Sequence, residues 1–194
     1  MTRDLALIAA FAAFVAVLGQ LPAFQPFGIA VPITAQTLGV MLAGLCLGSR
    51  RGALAIVTFL VLVALGWHLL SGGRGGLGVF VGPSAGFILG WVPGAWFTGA
   101  LAERQPARLA RRARFAWFAG AAAAGGIGVV YLIGVPVMAL RLGQSLGHAL
   151  AVSAVFLPGD ALKVAVAAVV AAGVHRGYPG LLPLGRTAED ARGR

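Results

Sequence analysis

The chain has 194 residues, 59% of them hydrophobic and only 10% charged, with a mean hydropathy of +0.93. Soluble domains carry about 25% charged residues, so this balance excludes an ordinary water-soluble fold and predicts an all-α protein that crosses the membrane several times. The net charge of +10 comes from fourteen arginines and one lysine; the arginines fall in short stretches between apolar runs, so they report topology and not nucleic-acid binding.

At about 20 residues per span, the length suits one domain of about six helices. Span one is Leu5 to Leu21, read as a true span despite the signal-like Arg3 ahead of it. Its alanines form small-xxx-small pairs, Ala9 with Ala13 and Ala12 with Ala16. Such a face packs closely, either within the chain or against a second membrane protein. Pro22, Pro26 and Pro32 make the next stretch a loop. Span two, Ile33 to Leu47, carries a polar Gln36 that either bonds a neighbouring backbone or lines a pocket. The single cysteine, Cys46, excludes an intrachain disulfide and a multi-cysteine metal site, and reads as a small buried residue.

Ser49-Arg50-Arg51 is a turn leading to span three, Ala53 to Leu70. A glycine-rich loop follows, Ser71 to Gly78, with Arg74 at its centre. It is not a phosphate loop, because no Gly-x-x-x-x-Gly-Lys-Ser/Thr occurs in the chain. Its glycines let the backbone turn tightly, and Arg74 is either a solvated charge or folded back over a pocket. Span four runs from about Ser84 to Leu101; Ser84 either caps it or offers a hydroxyl at its outer end. Glu103 to Arg114 is a basic loop, span five is Phe115 to Leu140, and Arg141 to His148 is a loop. Leu150 to Leu157 reads as a short interfacial helix, and span six is about Asp160 to Val174. Residues 1–174 thus form the membrane domain, and 175–194 a polar tail without periodicity.

With the N-terminus in the cytoplasm, twelve of the fourteen arginines lie inside and only Arg74 and Arg141 outside. That bias predicts both termini in the cytoplasm and an even number of spans. The proline loop, the glycine loop and the Pro158-Gly159-Asp160 turn then share the outer side.

The stretch Phe156 to Lys163 holds the only lysine and an aspartate, both in apolar surroundings. Ions there cost roughly 2.5–3.5 kcal/mol each on insertion scales, so they need a partner, a wet cavity or a ligand. The i, i+3 spacing puts Asp160 and Lys163 on one helix face, with Cβ atoms about 5–6 Å apart. Pro158-Gly159 suits a helix start, where Asp160 favours the positive dipole end. The pair is either a ligand site reached from outside or a structural ion pair. His68, His148 and His175 share no metal-ligand spacing, and no Ser-His-Asp or paired-carboxylate arrangement suggests an enzyme.

Four blocks together are familiar: Val31-Pro32-Ile33-Thr34-Ala35-Gln36-Thr37-Leu38; Gly72-Gly73 with Gly76-Leu77-Gly78; Gly82-Pro83-Ser84-Ala85-Gly86-Phe87; and Pro158-Gly159-Asp160-Ala161-Leu162-Lys163. Their order and spacing resemble the BioY family, the biotin-binding substrate components of energy-coupling-factor (ECF) transporters. The resemblance covers about Met1 to Val174. It implies six membrane helices in a bacterial cytoplasmic membrane, a biotin pocket near the outer face, and no resident cofactor. It also implies partners, a transmembrane coupling subunit and a pair of cytoplasmic ATPases that use the ATP. Asp160 and Lys163 match the family's Asp-x-x-Lys ligand pair, and Ala9 and Ala13 match the small face offered to the coupling subunit. Arg74, Ser84, Gln36 and Tyr131 are the further candidate biotin contacts, with Phe80, Phe87 and Tyr131 as candidate aromatic walls. Phe87 departs from the family's usual tyrosine, which removes a phenolic hydroxyl, and His68 stands where a proline is common. Two other readings stay open: a substrate component for another vitamin, and a stand-alone ion-coupled carrier or assembly factor that uses Asp160 and Lys163 as a relay.

Overall fold

The apolar stretches fold as helices, because a backbone surrounded by lipid must satisfy its N–H and C=O groups within the segment. The computed structural model describes residues 2–23, 31–106 and 109–182. Helix α1 is Thr2–Gly19, α2 Gln36–Leu47, α3 Ser49–Ala64 and α4 Ala85–Glu103. Helix α5, Arg111–Ala122, runs through a π-helical segment, Ala123–Val129, into α6, Val130–Leu142. Helix α7, Leu146–Ser153, runs through a 3₁₀ turn, Ala154–Phe156, into α8, Leu157–Gly177. Counted as continuous stretches these are six helical segments. Four are long and apolar enough to cross a bilayer; α2 and α3, with 12 and 16 residues, are shorter. No strand occurs among the described residues.

Helix α2 is the axis of the bundle. Every residue from Gly39 to Leu47 is buried, and the helix packs against α1, α3, α4 and α8. Glycine makes the closest crossing possible, since a Cβ on Gly44 would lie 2.6 Å from the Ala95 carbonyl oxygen of α4. Phe59, Trp91, Val130 and Met138 fill one buried cluster, and Met41, Leu45 and Phe118 belong to a second.

The two ends of the bundle are chemically distinct. At one end polar contacts join the start of α1, the α2–α3 junction and the ends of α4 and α8. Ser49 donates from its amide to Glu103 Oε1 at 2.7 Å and from its hydroxyl to both carboxylate oxygens at 3.0 Å. Arg51 pairs with Asp4 at 3.0 Å and also donates to the Leu181 carbonyl. His175 Nε2 bonds the Leu45 carbonyl at 2.8 Å. At the other end lie the glycine loop, the start of α4 and the start of α8.

Several boundaries differ from the sequence reading, for local reasons. Ser49-Arg50-Arg51 is the first turn of α3, because Gly48 at φ +84° makes the whole turn in one residue. Span three stops at Ala64, with Gly66 at φ +103° just beyond it. Arg111, Arg112 and Arg114 are helical and open α5. Arg141 closes α6, and Leu150 to Leu157 is no separate interfacial helix but part of the continuous run into α8. Helix α8 passes Val174, and His175, Leu181 and Leu182 are buried, so the supposed tail begins inside the fold. Pro26 and residues 183–194 lie outside the described residues.

Candidate functional site

Asp160 sits in the first turn of α8, where the positive end of the helix dipole favours a carboxylate. It is 5% exposed. Lys163, one turn on, donates to Asp160 Oδ1 at 2.8 Å and to Thr37 Oγ1 of α2 at 2.9 Å. Tyr131, from α6, donates its phenol to Asp160 Oδ2 at 2.6 Å. The buried ions are therefore paired and hydrogen-bonded, which is the condition for leaving them out of water. An ammonium has three donors, so among the described residues one N–H of Lys163 remains, as do further lone pairs on both Asp160 oxygens.

The glycine loop brings a second cation to the same place. Gly72 and Gly73 adopt φ +77° and +66°, a conformation that other residues resist, and this closes Leu70 and Arg74 into a two-bond backbone bridge of 3.0 and 3.2 Å. Arg74 Nε then donates to the Ser71 carbonyl at 3.1 Å and Nη1 to Ser84 Oγ at 3.2 Å. Half-burial pulls the guanidinium below its ordinary pKa, yet it stays charged at neutral pH. Gln36 fastens this loop to the bundle. Its amide nitrogen donates to the carbonyls of Val15 at 3.3 Å and Leu69 at 3.2 Å, and its oxygen accepts from the Ser71 amide at 3.2 Å.

These side chains converge on one cavity that encloses about 560 Å³ of space, its open mouth included. Asp160, Lys163, Arg74, Ser84, Gln36 and Tyr131 all line it. Its apolar wall includes Phe87, Trp91 and Phe156; the Phe87 ring meets Tyr131 edge-on at 5.7 Å and Phe156 at 6.1 Å. Ser84 spends its hydroxyl on Arg74 and makes no side-chain cap on α4. Phe80 is not among the lining residues: it ends a short 3₁₀ turn, Leu77–Phe80, and packs against the core. On α1, Ala12 is buried in the bundle, whereas Ala9 and Ala13 face outward.

Thr37, Trp91 and Phe156 belong to the cavity without having been singled out as site residues from the sequence. Thr37 directly follows Gln36 in the Val31–Leu38 block, which is the one signal that could have found it. Trp91 is one apolar residue among many in α4. Its Nε1 is buried and has no hydrogen-bond partner among the described residues.

The BioY family model matches residues 1–180. The chain belongs to the BioY family. It is 48% identical over 186 residues to a Rhizobium etli protein named biotin transporter BioY, covering 94% of this chain and 97% of the relative. A Rhodobacter capsulatus protein of the same name is 46% identical over 192 residues, covering 94% and 98%. A crystal structure of the S-component for biotin from an ECF-type ABC transporter superposes with a TM-score of 0.81 at 26% identity, covering 90% of this BioY-family chain and 92% of the other. The fold is thus that of an ECF S-component, and the chain is a multi-pass membrane protein.

Proposed function

We propose that this chain is the biotin-binding substrate component of an ECF-type vitamin uptake transporter. The observation that carries the reading is a largely apolar cavity with the Asp160–Lys163 ion pair in its wall, in a BioY-family chain. Biotin is a bicyclic apolar body with a ureido group at one end and a carboxylate on a flexible arm at the other. The remaining lone pairs of Asp160 accept ureido N–H groups, and the spare N–H of Lys163 and the indole N–H of Trp91 are donors for a ligand oxygen. Arg74 has three N–H groups left after its bonds to Ser71 and Ser84, a fork suited to the carboxylate. Phe87, Trp91 and Phe156 enclose the rings. Tyr131, Thr37, Ser84 and Gln36 hold these groups in place, Gln36 through the loop that carries Arg74.

The chain is a transport protein and not an enzyme. The cavity faces the outside and both termini the cytoplasm, a reading that the arginine distribution supports. Biotin enters from outside, and the inward step is driven by a transmembrane coupling subunit and two ATPases. The exposed Ala9 and Ala13 face of α1 is where the coupling subunit packs. No resident cofactor takes part. Two experiments test this. Calorimetric titration of the purified chain with biotin, thiamin and lipoate should give saturable heat with biotin alone. Uptake into vesicles should require the ATP-hydrolysing partners. Heat with another vitamin in place of biotin, or uptake driven by a proton gradient without partners, would replace this reading with one of its rivals.

A further inference from the structure

At the arginine-rich end of the bundle, far from the cavity, α5 and α8 leave an open groove of about 1270 Å³ between them. Arg111, Arg112 and Arg114 from the start of α5 and Arg176 from the end of α8 line it, above an apolar floor that includes Phe115, Val169 and Ala172. None of the four arginines has an acidic partner among the described residues, where the ion pairs are Arg51–Asp4 and Lys163–Asp160. Arg114 Nε is buried without a hydrogen-bond partner there. The first turn of α5 adds to the imbalance, since it has no acid and no side-chain cap. Positive charge at a helix N-terminus is the unfavourable arrangement, and an anion relieves it. Gly173 also lines the groove, with open space where a side chain would project.

The depth of the groove is also marked. Trp117 lies on α5 less than two turns from the arginines, exposed, with its indole N–H on the Leu101 carbonyl. Tryptophan is enriched at the headgroup level of membrane helices. Arginines just beyond such a ring, above an apolar channel open to the side, match a phosphate with acyl chains beneath it.

We propose that the α5–α8 groove is a binding site for an anionic phospholipid, its phosphate held by Arg111, Arg112, Arg114 and Arg176 and its chains along Val169, Ala172 and Gly173. The site is separate from the cavity and does not depend on what the cavity binds. Native mass spectrometry of the purified chain tests it, with dioleoyl phosphatidylglycerol or dioleoyl phosphatidylcholine added at equal concentration. The wild type should retain phosphatidylglycerol in preference by roughly tenfold. Arg112→Gln with Arg176→Gln, two exposed positions, should abolish that preference without moving the unfolding midpoint. Arg50→Gln with Arg104→Gln, which removes the same charge elsewhere on that end, should keep it. Gly173→Leu, which fills the groove and leaves every arginine, should reduce retention of phosphatidylglycerol. Equal retention of both lipids by the wild type would overturn the assignment, whether the groove is empty or filled by the chain beyond Leu182 or by a partner protein. So would equal losses in the two double variants.

Discussion

Separating the binding role of the Asp160–Lys163 pair from its structural role requires two variants measured side by side. Asp160→Ala removes the acceptor of both Lys163 and Tyr131 and leaves an ammonium whose side chain is 14% exposed, with Thr37 as its one remaining partner among the described residues. Breaking a buried pair in this way costs about 3–5 kcal/mol. For a chain of this size that lowers the unfolding midpoint by roughly 10 °C. Adding Lys163→Met removes the stranded charge and keeps an unbranched side chain, so most of the midpoint should return. Biotin binding should not return with it. If each ion makes a hydrogen bond to the ligand worth about 1.5–3 kcal/mol, the double variant loses at least about a hundredfold in affinity. The assay is tryptophan-detected thermal unfolding in detergent beside calorimetric titration of the same samples. A double variant that recovers its midpoint and binds biotin within about threefold of the wild type refutes the reasoning.

Three further expectations follow from particular contacts. Gln36→Leu breaks three bonds to Val15, Leu69 and Ser71, each worth about 1 kcal/mol, so tryptic cleavage after Arg74 should accelerate and biotin affinity fall about tenfold; unchanged cleavage would show that the loop is held by other means. Gly134→Ala places a Cβ 2.5 Å from Cγ of Phe87, forcing that ring toward the cavity, and should weaken biotin binding with little change in membrane insertion; wild-type calorimetry would contradict it. Ala9→Trp with Ala13→Trp should leave biotin binding intact while ending ATP-driven uptake in vesicles with the partner subunits, because both positions face away from the bundle.

The sequence made the helices legible because lipid leaves the backbone few alternatives: among the described residues each predicted span is built on a helix. It misplaced their ends where one residue decides. Gly48 alone turns the chain between α2 and α3, so the arginines after it are helical and not loop. His175 reads as polar tail, yet a long-range bond to the Leu45 carbonyl carries α8 past it. In the site, Asp160 and Lys163 stood out because an ion in grease is costly wherever it lies. Tyr131 was legible as a candidate contact and aromatic wall but not as the partner of Asp160, since that bond joins residues 29 apart in the chain. Thr37, Trp91 and Phe156 carry no such local cost, and it is the packing of α2, α4 and the turn before α8 that brings them to the cavity. Gln36 satisfies both of its sequence readings at once: it lines the cavity, and its amide is spent on neighbouring backbone.

The ring sulfur of biotin gives the most direct test of where the ligand lies. Long-wavelength diffraction from crystals grown with biotin should show one anomalous peak beyond those of the cysteine and methionine sulfurs. That peak should lie among Phe87, Trp91 and Phe156, with ureido density against Asp160. A bound biotin whose sulfur peak lies outside this cavity would contradict it.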